Sequence, residues 1–148
     1  MSHAPTLALL GAMFFFLVGL LSGIWKYAGI LRSPDSVAPE YVSVCHRAAL
    51  LYAFACLVLE RASEVSQLAP GLELACVTGL LFFFGFAVFG YALHGWLKDT
   101  DNQLAPPYRL GRGTVPPWFV HGTMVALIVV EVGAFLVLFV GAASQLLA

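Results

Sequence analysis

Four long apolar stretches limit what this chain can fold into. They cover about residues 6–27, 44–65, 72–97 and 117–147. A helix needs roughly 20 apolar residues to cross a bilayer, and a helix satisfies its own backbone hydrogen bonds in lipid. The first stretch lacks the basic start and the short apolar run of a signal peptide, so we interpret it as a retained helix. The sequence therefore predicts an all-α, integral membrane four-helix bundle, with residues 1–148 as one domain.

The composition supports the same class of protein. Of 148 residues, 61% are hydrophobic and only 10% are charged, whereas about a quarter of the residues in a soluble domain are charged. So few charged side chains cannot cover a domain of this size in water, and we expect the lipid bilayer to surround it. The net charge is −1 and no basic tract is present, so nucleic acid is not expected as a partner.

The basic residues are unevenly divided between the two predicted membrane faces. Six of the seven lie within or beside the loops 28–43 and 98–116, at one membrane face, namely Lys26, Arg32, Arg47, Lys98, Arg109 and Arg112. Only Arg61 lies at the other face. Because cytoplasmic loops are enriched in Lys and Arg, we expect both loops to be cytoplasmic and both termini to lie outside, in a bacterial inner membrane.

Three histidines are predicted to lie at a similar shallow depth on the cytoplasmic side. His46 opens the second helix, His94 closes the third, and His121 lies one turn into the fourth. Three imidazoles in one layer, with Tyr52 and Tyr91 nearby, indicate a ligand site or a proton-transfer site. Histidines that only satisfy local hydrogen bonds are the alternative.

One acidic residue, Glu131, interrupts the fourth apolar stretch. A charge in lipid needs a partner or loses its charge. The rise per residue puts Glu131 and Arg61 at comparable depths. We therefore expect Glu131 to face inward and either pair with Arg61 or carry a proton. A proton relay is the functional alternative.

The loop over residues 98–116 is rich in proline and glycine and has no helical periodicity. Long loops of this kind are usually functional or disordered, and this one is predicted to cover the histidine layer as a lid. Asn102 lies in it and is an additional candidate site residue. The neighbouring Asp99 and Asp101 do not continue into the spacing of a calcium loop.

Several short segments resemble the styrene oxide isomerase family, which are small four-helix membrane enzymes similar to the hydroxylaminobenzene mutases. The segments are FFFLVGLLSGIW in the first helix, APEYVSVCH before the second, FGY in the third, and the Gly/Pro-rich loop before the fourth. Pro39 and Glu40 precede His46 at the family's spacing, and Tyr91 follows His46 at the separation of the family's tyrosine.

The resemblance implies a haem b-dependent isomerase of small hydrophobic epoxides. It implies a homotrimer with haem between subunits, with His46 as the axial ligand and ferric iron acting as a Lewis acid on the epoxide oxygen. Tyr91 would help to hold the substrate, and the product would be an aldehyde or a ketone. Gly19 and Gly23 in the first helix are four apart, which suits a subunit contact.

The chain departs from the family at two active-site positions. Tyr52 stands where the family has an asparagine, and Phe83 stands where it has an acidic residue. Two roles stay open for Tyr52, which either donates a hydrogen bond to the epoxide oxygen or itself approaches the iron. The phenylalanines of the third helix are candidates for the apolar walls of a substrate pocket, namely Phe82, Phe83, Phe84, Phe86 and Phe89.

Three other functions stay open at this point. A haem electron-transfer or sensor protein would use His46 with His94 or His121 as a second ligand. A haem-free enzyme of the mutase type would use His46 and Tyr91 for acid–base chemistry. A structural membrane subunit would need none of these side chains.

Overall fold

The computed structural model describes residues 3–147 and contains four long helices. They are α1 (Ala4–Arg32), α2 (Glu40–Val65), α3 (Pro70–Leu97) and α4 (Pro117–Leu146). Two short antiparallel strands, β1 (Arg109–Leu110) and β2 (Gly113–Thr114), form a hairpin before α4. Each of the four helices is long and apolar enough to cross a membrane, which confirms the predicted all-α transmembrane bundle.

The first two helices are longer than the sequence predicted. α1 continues to Arg32 and α2 begins at Glu40, so the connection shrinks from the predicted 28–43 to residues 33–39. Pro39 precedes α2, and its carbonyl accepts hydrogen bonds from two amides of the first helical turn, those of Val42 and Ser43. Glu40 places an acidic side chain in the first turn, where the positive end of the helix dipole favours it.

Contacts between neighbouring helices show that the chain runs up and down through the bundle. Gly11 of α1 lies near Cys56 of α2, whereas Gly29 lies near Pro39. Gly141 of α4 lies against Leu68, in the turn between α2 and α3. The longer connections, 33–39 and 98–116, therefore share one end of the bundle, as predicted, and the basic residues cluster at that end.

Glycines let α1 and α2 approach closely. A Cβ on Gly19 would lie 2.5 Å from Cδ2 of Leu50, and one on Gly23 would lie 3.0 Å from Cε1 of His46. The two glycines thus pack against the chain's own α2, so they do not mark a free surface for another subunit. Small residues are a common means of helix association in lipid.

The core is formed mainly by α1, α2 and α3, while α4 is attached at its C-terminal end. The only buried residues of α4 are Leu138, Gly141 and Ala142. The cysteines of α2 and α3 are all buried and free, namely Cys45, Cys56 and Cys76. The first five turns of α4 therefore contribute little to the core.

We expect Gly95→Ala to destabilise the bundle. A Cβ at Gly95 would lie 3.0 Å from the Val42 amide nitrogen and 3.2 Å from the Tyr41 carbonyl carbon, so α2 and α3 would have to separate. Overpacking of this kind costs about 1–3 kcal/mol. Thermal unfolding in detergent measures it. Gly90→Ala is the control, because a Cβ there meets nothing within 4 Å. Equal unfolding temperatures for the two variants would contradict this account of the α2–α3 contact.

Candidate functional site

His46 lies two turns into α2, about 9 Å from the helix start at 1.5 Å per residue, rather than at its mouth. Its Nδ1 is 2.8 Å from the carbonyl oxygen of Gly19 in α1. A carbonyl can only accept, so Nδ1 carries the proton and Nε2 keeps a free lone pair. A backbone carbonyl on one ring nitrogen is the usual way in which a metal-binding histidine has its tautomer fixed.

The surroundings of His46 are small and partly open. The ring is half-buried, and the absence of a side chain at Gly23 gives it room beside α1. The Gly19 carbonyl also accepts a hydrogen bond of 3.0 Å from the hydroxyl of Ser22. The imidazole is therefore held at one nitrogen, and in the described part of the chain no hydrogen bond engages its other nitrogen.

A basic groove of about 340 Å³ lies at the same end of α1. Its lining includes Arg32 at the end of α1 and Lys98 at the end of α3, and it includes no acidic residue. Trp25 and Gly29 form part of its α1 side. Two cations without a lining anion make this groove suitable for an anionic group.

His94 is bound by the loop that follows α3. Its Nδ1 is 2.8 Å from Oδ1 of Asp99, and both side chains are at least 90% buried. Oδ2 of Asp99 accepts a hydrogen bond from the Gly111 amide in the hairpin. Burial by itself raises the pKa of Asp99, but the hydrogen bonds from His94 and Gly111 outweigh it and hold the pKa below its usual value. His94 thus anchors the loop.

His121 lies in the first turns of α4 and is exposed. Its Nε2 is 2.9 Å from the hydroxyl of Tyr108. The three histidines share one end of the bundle, but each has a different partner. Residues 3–147 contain no group of three or more His, Cys, Asp or Glu side chains that could hold a metal ion. The predicted convergence of the three imidazoles on one site is therefore wrong. The sequence predicted how deep each histidine lies in the membrane, but not which side of its helix each side chain occupies.

Asn102 shapes the loop rather than a pocket. The residue is exposed. Its backbone amide donates a hydrogen bond to the hydroxyl of Thr100, and its side-chain Oδ1 accepts one from the backbone amide of Leu104. The next residue, Gln103, donates its amide hydrogen to the hydroxyl of Tyr41 at 2.6 Å. These contacts attach the 98–116 loop to α2 and α3.

Tyr52 and Tyr91 pack among aromatic side chains of the bundle, and the Tyr52 ring also lies 6.1 Å from that of Phe15 in α1. Tyr52 stacks on Phe84 with ring centroids 4.2 Å apart, and Tyr91 stacks on Tyr41 at 6.0 Å. Within residues 3–147 neither hydroxyl makes a hydrogen bond. Positions 46 and 52 differ by six residues, which puts them about 120° apart around α2. In the described part of the chain no hydrogen bond or ring contact joins the imidazole and Tyr52, although both contact α1.

Of the phenylalanines in α3, only Phe84 is buried. Phe82, Phe86 and Phe89 are exposed, which in a membrane means that they face lipid or another chain. Phe83 is half-buried and lies in an apolar groove between α3 and α4. The predicted apolar wall is thus reduced, within one chain, to the Phe84 ring beside Tyr52.

Glu131 does not pair with Arg61. Arg61 bonds Glu64, three residues further along α2, at 2.9 Å, and both side chains are exposed. Oε1 of Glu131 is buried and has no hydrogen-bond partner in the described residues. Glu131 instead interacts electrostatically with Tyr52 and Tyr91. Glu64 follows Arg61 by three residues in the sequence, a spacing that allows an ion pair on one face of a helix. The predicted pairing of Arg61 with Glu131 did not take this nearer glutamate into account.

No protein-family model matches this chain, and neither a curated protein nor a solved structure does. Functional inference therefore depends on the geometry of the side chains above.

We expect Asp99→Asn to weaken the attachment of the 98–116 loop. The variant loses a charged acceptor that two buried hydrogen bonds use, which costs about 1–3 kcal/mol. Because the pKa of Asp99 is lowered by folding, its stabilisation is present at neutral pH and is lost as the pH falls through that lowered pKa. Thermal unfolding across an acid pH series measures both effects.

The control for this prediction is Asp35→Asn, at an exposed position in the 33–39 connection. Its unfolding should follow that of the unmodified protein. If Asp99→Asn and the unmodified protein lose stability equally on acidification, the Asp99 contacts do not stabilise the loop.

Proposed function

We propose that this protein is a membrane-bound, haem b-dependent isomerase that converts a small hydrophobic epoxide to an aldehyde or a ketone. The observation that carries the proposal is the hydrogen bond of His46 Nδ1 to the Gly19 carbonyl, which leaves Nε2 free for a metal. An imidazole oriented in this way inside an apolar bundle suits an axial haem ligand.

The residues around His46 fit a haem group. Nε2 of His46 would bind the iron, and the lack of a side chain at Gly23 lets the imidazole pack against α1. The cations of the basic groove, Arg32 and Lys98, would bind the haem carboxylates. Gly29 of that groove is six residues from Gly23, or about 9 Å along α1. When bound, ferric haem supplies a Lewis acid for the epoxide oxygen.

The chain's own residues supply orientation and exclude water. The hydroxyls of Tyr52 and Tyr91 have no partner in the described chain, so they are available to hold the epoxide oxygen. The Phe84 ring beneath Tyr52 offers an apolar surface for the rest of the substrate. Ring opening followed by a 1,2-shift changes neither the atoms nor the oxidation level, and an apolar membrane site keeps water from trapping the opened ring.

A second copy of the chain completes the proposed site. Within the described chain His46 bonds the Gly19 carbonyl, Tyr52 packs between Phe15 and Phe84, and Tyr91 stacks on Tyr41, so a second chain would bring further groups to the imidazole. We propose a homotrimer with haem between subunits, with the 33–39 and 98–116 connections cytoplasmic and both termini outside a bacterial inner membrane.

The other functions have less support from side-chain contacts. A haem with two histidine ligands from one chain is not favoured, because His94 bonds Asp99 and His121 bonds Tyr108. A haem-free enzyme that uses His46 and Tyr91 together is not favoured either. In the described part of the chain no hydrogen bond or ring contact joins these two side chains.

The proposal predicts a Soret absorption band in the detergent-purified protein that is lost in His46→Ala. The substitution removes the nitrogen that would bind the iron. An absorption spectrum of protein produced with ample haem measures it, and His121→Ala is the matched control because His121 is exposed and bonded to Tyr108. No Soret band in the unmodified protein, or an equal band in both variants, would overturn the assignment of His46 as haem ligand.

A site shared between chains also predicts complementation. We expect His46→Ala and Tyr91→Phe each to lose most of the isomerase activity, and their co-expression to restore part of it, because mixed trimers contain sites with both side chains intact. Conversion of styrene oxide to its aldehyde measures the activity. Mixing the two proteins after separate purification is the control. Co-expressed activity no higher than that of the single variants would mean that each site uses one chain.

A further inference from the structure

A second polar site lies inside the membrane-spanning part of the bundle. It is formed by Glu131 of α4, Tyr52 of α2 and Tyr91 of α3, which we call the inner polar cluster. Both tyrosines interact electrostatically with Glu131. The Tyr52 ring stacks on Phe84 and the Tyr91 ring stacks on Tyr41. Three helices thus place a buried carboxyl oxygen and two phenol groups within electrostatic range of one another.

The polar atoms of this cluster have no partners. Oε1 of Glu131 is buried without a hydrogen bond, and neither tyrosine hydroxyl makes one in the described part of the chain. Buried polar groups in proteins are nearly always paired, and those in membrane interiors usually mark a functional site. The unmade hydrogen bonds therefore need a ligand.

The chemistry of the cluster limits what that ligand is. Among residues 3–147 no ion pair joins a basic side chain to Glu131, and Arg61, the residue predicted to pair with it, bonds Glu64 instead. An unpaired carboxylate is costly in lipid, and a carboxyl group that keeps its proton is an O–H donor. Two phenol groups and one carboxyl group then offer three O–H donors. Such a set suits an oxygen that accepts hydrogen bonds, and two of these donors are enough for its two lone pairs.

We propose that Glu131 is a third residue of the substrate site, where its neutral carboxyl group is, beside Tyr52 and Tyr91, one of the O–H donors available to the acceptor oxygen of an apolar ligand such as an epoxide. The inference rests on the proposed function for the identity of the reaction. It goes further in assigning substrate recognition to α4 and in naming the ligand class as apolar molecules with an acceptor oxygen. Glu131 is a positioning group in this arrangement, because it binds the oxygen without forming or breaking a bond.

Infrared spectroscopy tests the carboxyl group directly. In detergent-purified protein at neutral pH we expect a C=O band of a protonated carboxyl group that disappears in Glu131→Gln and persists in Glu64→Gln. Glu64 is a matched control because it is a partly exposed glutamate that pairs with Arg61. Addition of styrene oxide should shift the band, whereas ethylbenzene, which has a similar shape but no oxygen, should leave it unchanged.

Kinetics separate a neutral donor from a negative charge. Glutamine keeps an N–H donor and leucine keeps none, so we expect Glu131→Gln to hold kcat/KM for styrene oxide within about tenfold and Glu131→Leu to lower it about 100-fold. Equal losses in both variants would mean that a carboxylate charge is needed and would overturn the neutral-donor assignment. Full activity of Glu131→Leu would overturn the site itself.

The spectroscopic result is independent of haem and of turnover. A protein without a Soret band or isomerase activity would refute the proposed function, yet a band that responds to styrene oxide would still support the inner polar cluster as a ligand site. A protein that isomerises epoxides, but whose Glu131 band is absent or does not respond to styrene oxide, would refute the cluster and leave the proposed function standing.

Discussion

The close approach of α1 to α2 determines the position of His46. Lipid provides no hydrophobic force to press helices together, so small residues must let their backbones come near enough for dispersion contacts. Gly19 and Gly23 supply that proximity, and the carbonyl of Gly19 becomes reachable by the imidazole as a result. A side chain at either glycine would move the helices apart and alter the orientation of the ring.

Polar groups are treated differently at the loop end and in the interior of this bundle. At the loop end, Asp99, His94 and Tyr41 are paired with each other or with loop amides, and they hold the 98–116 loop in place. In the interior, Glu131 is left without a hydrogen-bond partner in the described chain. A polar network whose hydrogen bonds are all made rigidifies the structure. A buried polar group without a hydrogen bond destabilises the folded protein, and a ligand that supplies the missing hydrogen bond removes this destabilisation. The first arrangement builds a scaffold and the second leaves interaction energy for a ligand.

The sequence predicted the number, type and order of the helices because apolar runs in a bilayer have few alternatives. It placed His46, His94 and His121 at one end, since helix length and direction determine depth. It did not show which way each ring faces, because the rotation of a helix depends on packing against its neighbours. The helix bounds at Arg32 and Glu40 were missed because polar residues there continue the helices beyond the apolar stretch. The Glu131–Arg61 pair failed for a related reason, since comparable depth does not ensure that two side chains lie on facing surfaces.

The fully buried residues of α4 lie near its C-terminal end, which has a consequence for how ligands arrive. Leu138, Gly141 and Ala142 are buried there, whereas many apolar side chains of the preceding turns are exposed and in a membrane face lipid or another chain. A hydrophobic compound concentrates in the bilayer before it meets this protein. Occupancy of the binding site would then depend on the concentration of the compound in the bilayer. The apparent dissociation constant, expressed as a concentration in water, would therefore change with the amount of membrane present.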